Sequence, residues 1–123
     1  MNMRQSLTAV IERNTTLTGE FTTEPYEAAW AGEARWFVRV LDAAGRSPRL
    51  VARTQISPDG LHWCDLDETD QSISPADGPV HSWPATGFGG WLRLRGTVVD
   101  EAADPAPDES ARLKVLIYLA LKA

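Results

Sequence analysis

The sequence has almost no cysteine and little lysine. Cys64 is the only cysteine among 123 residues, so an intramolecular disulfide is excluded and the fold has to be stable without one. Only Lys114 and Lys122 are lysines among the twelve basic residues. With 17 acidic residues the formal net charge is -5, which argues against general nucleic-acid or anionic-membrane binding, because both need a positive field. The sequence therefore predicts neither a nucleic-acid nor a membrane partner.

The sequence also lacks a long apolar run. No window approaches the ~20 apolar residues of a membrane span, and the N-terminal MNMRQSLTAVIERN has no apolar run of signal-peptide length. We therefore expect a location in the cytoplasm or in a particle assembled there. A chain of this length buries about two-thirds of the surface that its unfolded form exposes. We expect residues 1–123 to form a single domain.

The central stretch, residues 50–66 (LVARTQISPDGLHWCDL), begins with the period-two pattern of a half-buried strand. One face of this strand carries Leu50, Ala52, Thr54 and Ile56. The following Ser57-Pro58-Asp59-Gly60 predicts a turn, because Pro fixes φ and Gly accepts a positive φ. The chain should then return through Trp63 to Leu66, which gives a β-hairpin with Trp63 covering the end of the core.

Three more stretches show a clear period-two alternation of apolar residues, which is typical of strands. Residues 34–41 place Ala34, Trp36, Val38 and Val40 on one face. Residues 90–99 place Leu92, Leu94, Gly96 and Val98 opposite Trp91, Arg93, Arg95, Thr97 and Val99. The last apolar run places five residues on one face: Leu113, Val115, Ile117, Leu119 and Leu121. A helix could use the same residues, but the central Val, Ile and Tyr favour a long closing strand, which we expect to pair with residues 90–99.

The remaining segments give weaker patterns. The pattern of residues 7–11 is typical of a short strand or a helical turn, and residues 14–16 interrupt it. The pattern of residues 17–22 is typical of another strand. Residues 28–33 fit a short strand or a helical turn, and residues 71–73 and 80–83 fit very short strands. Residues 43–48 have a length suited to a hairpin loop. Residues 100–109 carry five acids and no base, which predicts a solvated loop.

Seven or eight strands separated by short turns, with no long helical pattern, predict an all-β fold. Two packed antiparallel sheets are the architecture that such a pattern favours, either as a β-sandwich or as a jelly roll.

The hairpin Ser57-x-Asp59-Gly60-x-x-Trp63, followed by the strand Trp91-Leu92-Arg93, resembles small β-sandwich structural proteins of tailed phages and phage-like particles. The resemblance covers residues 50–121. It implies a non-enzymatic assembly protein whose partners are other copies of itself, as a homo-oligomer, and a particle shell protein. Discoidin-like galactose-binding domains carry a similar hairpin and strand, and this second resemblance implies a carbohydrate-binding module with a glycan ligand. In physical terms the motif is a folding device, since Asp59 can accept bonds from turn amides.

Residues that could do chemistry are few. There is no Gly-x-Ser-x-Gly elbow and no phosphate-binding glycine loop, so we expect no catalytic residue, no cofactor and no enzyme. His62 and Cys64 have a spacing that can place two zinc ligands on one strand face, but a second Cys is missing. The acidic run at residues 65–70 could ligate calcium through Asp65, Asp67, Glu68 and Asp70, although Asp70 stands where an EF-hand-like loop needs Gly. We favour a solvated acidic loop and leave calcium open.

The five tryptophans are a surplus for a chain of this size. Exposed Trp flanked by Arg can stack on a sugar ring or anchor a protein interface. The candidate binding or interface residues lie beside loops or on the Arg-bearing strand face: Trp91, Arg93, Arg95, Trp83 and Trp30. Packing inside the fold is the default expectation for each tryptophan taken singly. We expect the acidic runs at residues 65–70 and 100–109 of a neighbouring copy to provide carboxylates for the two arginines.

Overall fold

The computed structural model describes residues 5–102 and 111–123, and this part of the chain forms ten strands. They are β1 (Ser6–Leu17), β2 (Glu20–Thr22), β3 (Tyr26–Glu27), β4 (Glu33–Ala44), β5 (Pro48–Ser57), β6 (Cys64–Asp65), β7 (Gln71–Ile73), β8 (His81–Ala85), β9 (Trp91–Asp100) and β10 (Arg112–Lys122). One 3-10 helix of three residues, Pro75–Asp77, lies between β7 and β8.

The strands form two antiparallel sheets. Sheet A has the order β1-β10-β4-β8, and sheet B has the order β2-β9-β5-β6, with β3 also paired to β9 and β7 to β5. The predicted all-β antiparallel sandwich is confirmed. The structure has more strands than the seven or eight expected. Of its short strands, β6 and β7 lie where the sequence predicts strands, whereas β3 has only two residues, too few for a period-two pattern to stand out.

The core lies between the two sheets and follows the alternation of the long strands. Five side chains of β10 are fully buried: Leu113, Val115, Ile117, Leu119 and Leu121. Trp36 of β4 is fully buried as well, and sheet B contributes the equally buried Leu50, Leu92 and Leu94. Burying one such aliphatic side chain stabilises a fold by about 1.5 to 3 kcal/mol. The buried faces predicted for these strands are confirmed.

The predicted pairing of the last two long strands is wrong. β9 pairs along its whole length with β5, from Pro48 opposite Asp100 to Ser57 opposite Trp91. β10 lies between β1 and β4 in the other sheet. Alternation identifies the buried face of a strand but not its neighbour, because every strand of a sandwich turns its apolar face to the same core.

The connection between β4 and β5 also differs from the expected hairpin loop. β4 continues to Ala44, so only residues 45–47 connect it to β5, and they cross from sheet A to sheet B. Asp100 holds this crossing in place: its carboxylate accepts hydrogen bonds from the backbone amides of Arg46 (2.9 Å) and Ser47 (3.0 Å). Asp100 therefore belongs to the fold and not to a solvated loop. Residues 103–110 of that predicted loop lie outside the described residues.

The N-terminal strand is longer than expected. The interruption predicted at residues 14–16 is wrong, because β1 runs on to Leu17 through an irregular segment. Its register against β10 shifts on both sides of Glu12, and Asn14 has a φ of 52°. Asn tolerates this left-handed conformation better than most residues, so the irregularity is a β-bulge rather than an end.

Two further segments are settled by the sheet topology. The strand predicted at residues 17–22 is divided, since Leu17 ends β1 in sheet A and Phe21 lies in β2 of sheet B. Gly19, with a φ of 55°, lies in the turn between them. Residues 28–33, for which a strand and a turn were open, form a turn that leads into β4.

Candidate functional site

The central hairpin joins β5 to β6 as predicted, although the returning strand is only Cys64–Asp65. Asp59 organises the turn: its Oδ1 accepts hydrogen bonds from the backbone amides of Leu61 and His62, both at 2.9 Å. These bonds and the contact with the His62 ring, whose Nδ1 lies 2.7 Å from Asp59 Oδ2, hold the pKa of the Asp59 carboxyl far below its usual range. The Ser57 hydroxyl accepts from the Gly60 amide at 2.8 Å. The motif acts as the folding device that the sequence predicts.

Next to the hairpin, the outer face of sheet B carries a stacked pair. The Arg93 guanidinium lies over the Trp63 ring, 4.2 Å from its centroid, and Arg93 Nε donates to Gln55 Oε1 at 2.9 Å. Burial in this stack lowers the pKa of Arg93, and the charge of Arg95 adds to the effect. Trp63 is only partly buried and lies outside the core cluster. Its predicted position over the end of the core is wrong, because Arg93 holds it on the outer side of the sheet.

The acidic run at residues 65–70 folds back onto β5. Arg53 bridges two of its members, with Nε 2.8 Å from Asp70 Oδ1 and a terminal nitrogen 3.0 Å from Asp65 Oδ2. The bonds from Gln55 and Arg53 lower the pKa of Asp65. Asp67 accepts from the backbone amide of Thr54 at 2.7 Å. Three of the four carboxylates thus bind partners within the chain, and the described residues contain no cluster of His, Cys, Asp and Glu suited to a metal ion.

Arg95 is the least engaged member of this face. It lies directly opposite Arg53 in the pairing of β9 with β5, and its side chain forms no hydrogen bond or ion pair with the described residues. Beside it is a shallow depression of about 280 Å³ lined by Glu20, Val51, Arg53, Gln55, Asp65, Asp70, Arg95, Gly96 and Thr97. At Gly96 a Cβ would meet the Val51 carbonyl oxygen, so the close approach of β9 to β5 leaves no room for a side chain there.

The structure brings together three of the five predicted site residues. Trp91, Arg93 and Arg95 share the outer face of β9, as expected from the full burial of Leu92 and Leu94. The Trp91 ring packs on the hairpin, since a Cβ at Gly60 would lie 3.2 Å from it.

The other two predicted site residues lie elsewhere. Trp83 is 4% exposed and belongs to the core, where its indole nitrogen donates to Thr54 Oγ1 at 3.3 Å. Its prediction as a binding residue is wrong, because the loops on either side of β8 do not determine where its side chain points. Trp30 is 39% exposed and lines a separate depression with Gln5, Ser6 and Leu7.

The outer face of sheet A is a second surface, which the sequence analysis missed. A row of directly opposed residues crosses all four strands: Val10, Tyr118, Phe37 and Ser82. Leu116 and Ala120 of β10 lie on either side of Tyr118 on the same face and are partly exposed, as are Tyr118 and Phe37. A depression of about 400 Å³ beside the row is lined in part by Phe37, Pro84 and Ala120. No other layer of the described chain covers this face.

The same face carries an excess of positive charge. Its five cations are Arg35, Arg39, Arg112, Lys114 and Lys122, whereas the acids directly opposite them are Asp42 and Glu33. Arg35 donates to the Ser82 hydroxyl at 3.0 and 3.1 Å, while the other four cations form no hydrogen bond or ion pair with the described residues through their side chains. We call the set of Val10, Phe37, Leu116, Tyr118, Ala120 and these five cations the apolar-basic face. The sequence carries a signal for this face, because Phe37, Leu116 and Tyr118 alternate with the buried residues of β4 and β10 and stand among basic residues.

Comparison with known proteins assigns no family. No family model matches the chain, and no curated protein matches it significantly. A solved structure, dimeric latent PorU from Porphyromonas gingivalis, aligns with 97% of this chain and 10% of its own length, at 13% identity and a TM-score of 0.32. So low a similarity carries no argument about function. Within the described residues there is no helix of the length and apolarity that crossing a membrane requires.

Proposed function

We propose that this protein is a non-enzymatic structural protein, a β-sandwich that assembles from copies of itself on or within a phage-like or other protein particle. The observation that carries the proposal is the apolar-basic face of sheet A. The particle context comes from the likeness of the Ser57 to Trp63 hairpin and the Trp91-Leu92-Arg93 strand to phage-like structural proteins.

The composition of the face supports a protein partner. Contiguous apolar surfaces that are rimmed by polar residues are typical of interaction sites. Tyr118 and Phe37 are directly opposed aromatic side chains, and Val10 extends the row to β1 with 39% of its surface exposed. Aromatic residues surrounded by Arg are the composition found at the energetic centre of protein interfaces.

Charge favours a second copy of this chain as the partner. The apolar-basic face is positive, whereas the whole chain has a formal net charge of -5, so other surfaces of a second copy are acidic. A contact of the face with itself across a two-fold axis would bring two positive surfaces together, and like charges across an interface are unfavourable. The face therefore fits a different, acidic surface of the next copy.

Size-exclusion chromatography with light scattering tests this function. We expect the parent protein to elute as an oligomer whose mass falls with dilution, and Phe37→Lys to elute at the monomer mass of 13.5 kDa with an unchanged circular dichroism spectrum. Val80→Lys is the matched control, because Val80 is 49% exposed but lies outside the face. A parent that stays monomeric at every concentration, or a control that dissociates as Phe37→Lys does, would reject the proposal.

A second function, carbohydrate binding, is favoured by one observation. The depression on sheet B places the unengaged Arg95 beside Arg53, whose position is fixed by two carboxylates. Fixed Arg and carboxylate groups can donate to and accept from sugar hydroxyls. Retention of the protein on a glycan array that is lost in Arg95→Ala, but not in the exposed control Arg13→Ala, would favour this function over assembly.

A further inference from the structure

The edge of sheet B formed by β2 and β3 is acidic and unengaged. Glu20, Glu24 and Glu27 are exposed, and none of them has a hydrogen bond or ion pair with the described residues through its side chain. No basic residue occurs between Arg13 and Arg35 in the sequence. Both β2 and β3 pair only with β9, so they form the end of the sheet opposite to β6 and β7. We call this surface the acidic edge.

We infer that the acidic edge of one copy is the surface that docks on the apolar-basic face of the next, an inference that rests on the proposed self-assembly. The three glutamates of the edge complement four cations of the face whose side chains form no hydrogen bond or ion pair with the described residues: Arg39, Arg112, Lys114 and Lys122. Charges that are unengaged on both sides form ion pairs without breaking existing ones, and complementary patches also orient the approach of two molecules.

The acidic run at residues 65–70 is another acidic surface of the described chain, and it is a poorer acceptor. Asp65 and Asp70 already bind Arg53, and Asp67 accepts from a backbone amide. A neighbouring cation would have to compete with these existing bonds. Only Glu68 of this run has no such bond within the described residues. The acidic edge is therefore the better candidate to form ion pairs with the cations of the apolar-basic face.

The inference makes the contact head-to-tail. Each copy offers one face and one edge, which are different surfaces, so successive copies form a closed ring if the rotation between them closes, and a filament if it does not. A copy with a damaged face keeps an intact edge, and a copy with a damaged edge keeps an intact face. Mixing two such copies leaves one productive contact and no way to extend it.

The experiment mixes two variants and measures mass by light scattering. The face variant is Phe37→Lys, and the edge variant combines Glu24→Lys with Glu27→Lys. We expect each alone to be a monomer of 13.5 kDa and their equimolar mixture to form a one-to-one dimer of twice that mass. In the mixture the damaged face and the damaged edge are both positive, so they cannot pair. Circular dichroism of each variant checks that it is folded, and Glu68→Lys, a charge reversal off the edge, should retain the parent mass.

The possible results separate the inference from the function it rests on. A monomeric parent overturns both. A parent oligomer that dissociates in the face variant but persists in the edge variant leaves self-assembly standing and overturns the edge as acceptor. Two monomeric variants whose mixture stays monomeric overturn the head-to-tail pairing of face and edge. An edge variant that fails to fold is replaced by Glu24→Gln with Glu27→Gln, for which the same masses are expected.

Discussion

The Arg93 guanidinium lies 4.2 Å from the centroid of the Trp63 ring, on the outer face of sheet B. This contact explains the positions of both side chains. It keeps the Trp63 ring on the outer side of the sheet, away from the core, and it gives the Arg93 guanidinium a partner within the chain. A cation stacked on an indole contributes about 0.5 to 2 kcal/mol, depending on how far the pair is removed from water. The stack therefore stabilises the hairpin against β9 and leaves Arg95 as the unengaged arginine of β9.

The first prediction concerns this stack. Trp63→Ala and Arg93→Ala should each destabilise the fold, and their double-mutant cycle should give a coupling of about 0.5 to 2 kcal/mol in urea unfolding. Trp36→Ala should cost about 3 to 5 kcal/mol, the range for a fully buried large side chain. If Trp63→Ala costs as much as Trp36→Ala, the indole belongs to the core after all.

The second prediction separates Trp83 from Trp30. Trp83→Phe keeps most of the buried volume but removes the indole nitrogen that donates to Thr54 Oγ1, so we expect a loss of about 1 to 3 kcal/mol from the hydroxyl left without its partner. Trp30→Phe, at an exposed position, should change the free energy of unfolding by less than about 0.5 kcal/mol. Chemical denaturation followed by circular dichroism measures both, and equal effects of the two substitutions would contradict the assignment.

The third prediction concerns the close approach of β9 to β5. In Gly96→Ala the new Cβ would meet the Val51 carbonyl oxygen, which is backbone and cannot move without separating the strands. Overpacking of this kind costs about 1 to 3 kcal/mol. Gly89→Ala is the control, because a Cβ there has nothing within 4 Å. We expect a lower urea midpoint of unfolding for Gly96→Ala and an unchanged midpoint for Gly89→Ala. If Gly96→Ala also leaves the midpoint unchanged, β9 and β5 can move apart at little cost.

The fourth prediction is a pH dependence. The pKa of Asp59 is lowered in the folded state, mainly by the bonds with His62 and Leu61, so its carboxylate favours folding above the unfolded pKa of about 3.9. This contribution is lost as the pH falls through the lower folded-state pKa. We expect a melting temperature that is nearly constant from pH 7 to about 5 and falls below about 4, with a shallower fall in Asp59→Asn. An identical acid profile for the variant would show that Asp59 does not stabilise the turn.

The sequence by itself determined which face of each long strand is buried. Leu92 and Leu94 are buried opposite Arg93 and Arg95, and the alternating aliphatics of β10 are all buried, because successive side chains of a strand take opposite faces. The hairpin turn was also predictable from near neighbours in the chain. The Ser57 hydroxyl and the Asp59 carboxylate accept hydrogen bonds from backbone amides only two or three residues away. These features depend on contacts between near neighbours in the chain.

Only the tertiary structure decided which strands are neighbours and what each outward side chain meets. β9 pairs with β5 instead of β10, Trp63 meets Arg93, and Trp83 reaches Thr54 of the opposite sheet. The apolar-basic face arises because β1, β10, β4 and β8 lie side by side, an order that brings Val10, Tyr118 and Phe37 into one row. Period-two patterns are alike in every strand of a sandwich, so register and strand order depend on contacts between residues far apart in sequence.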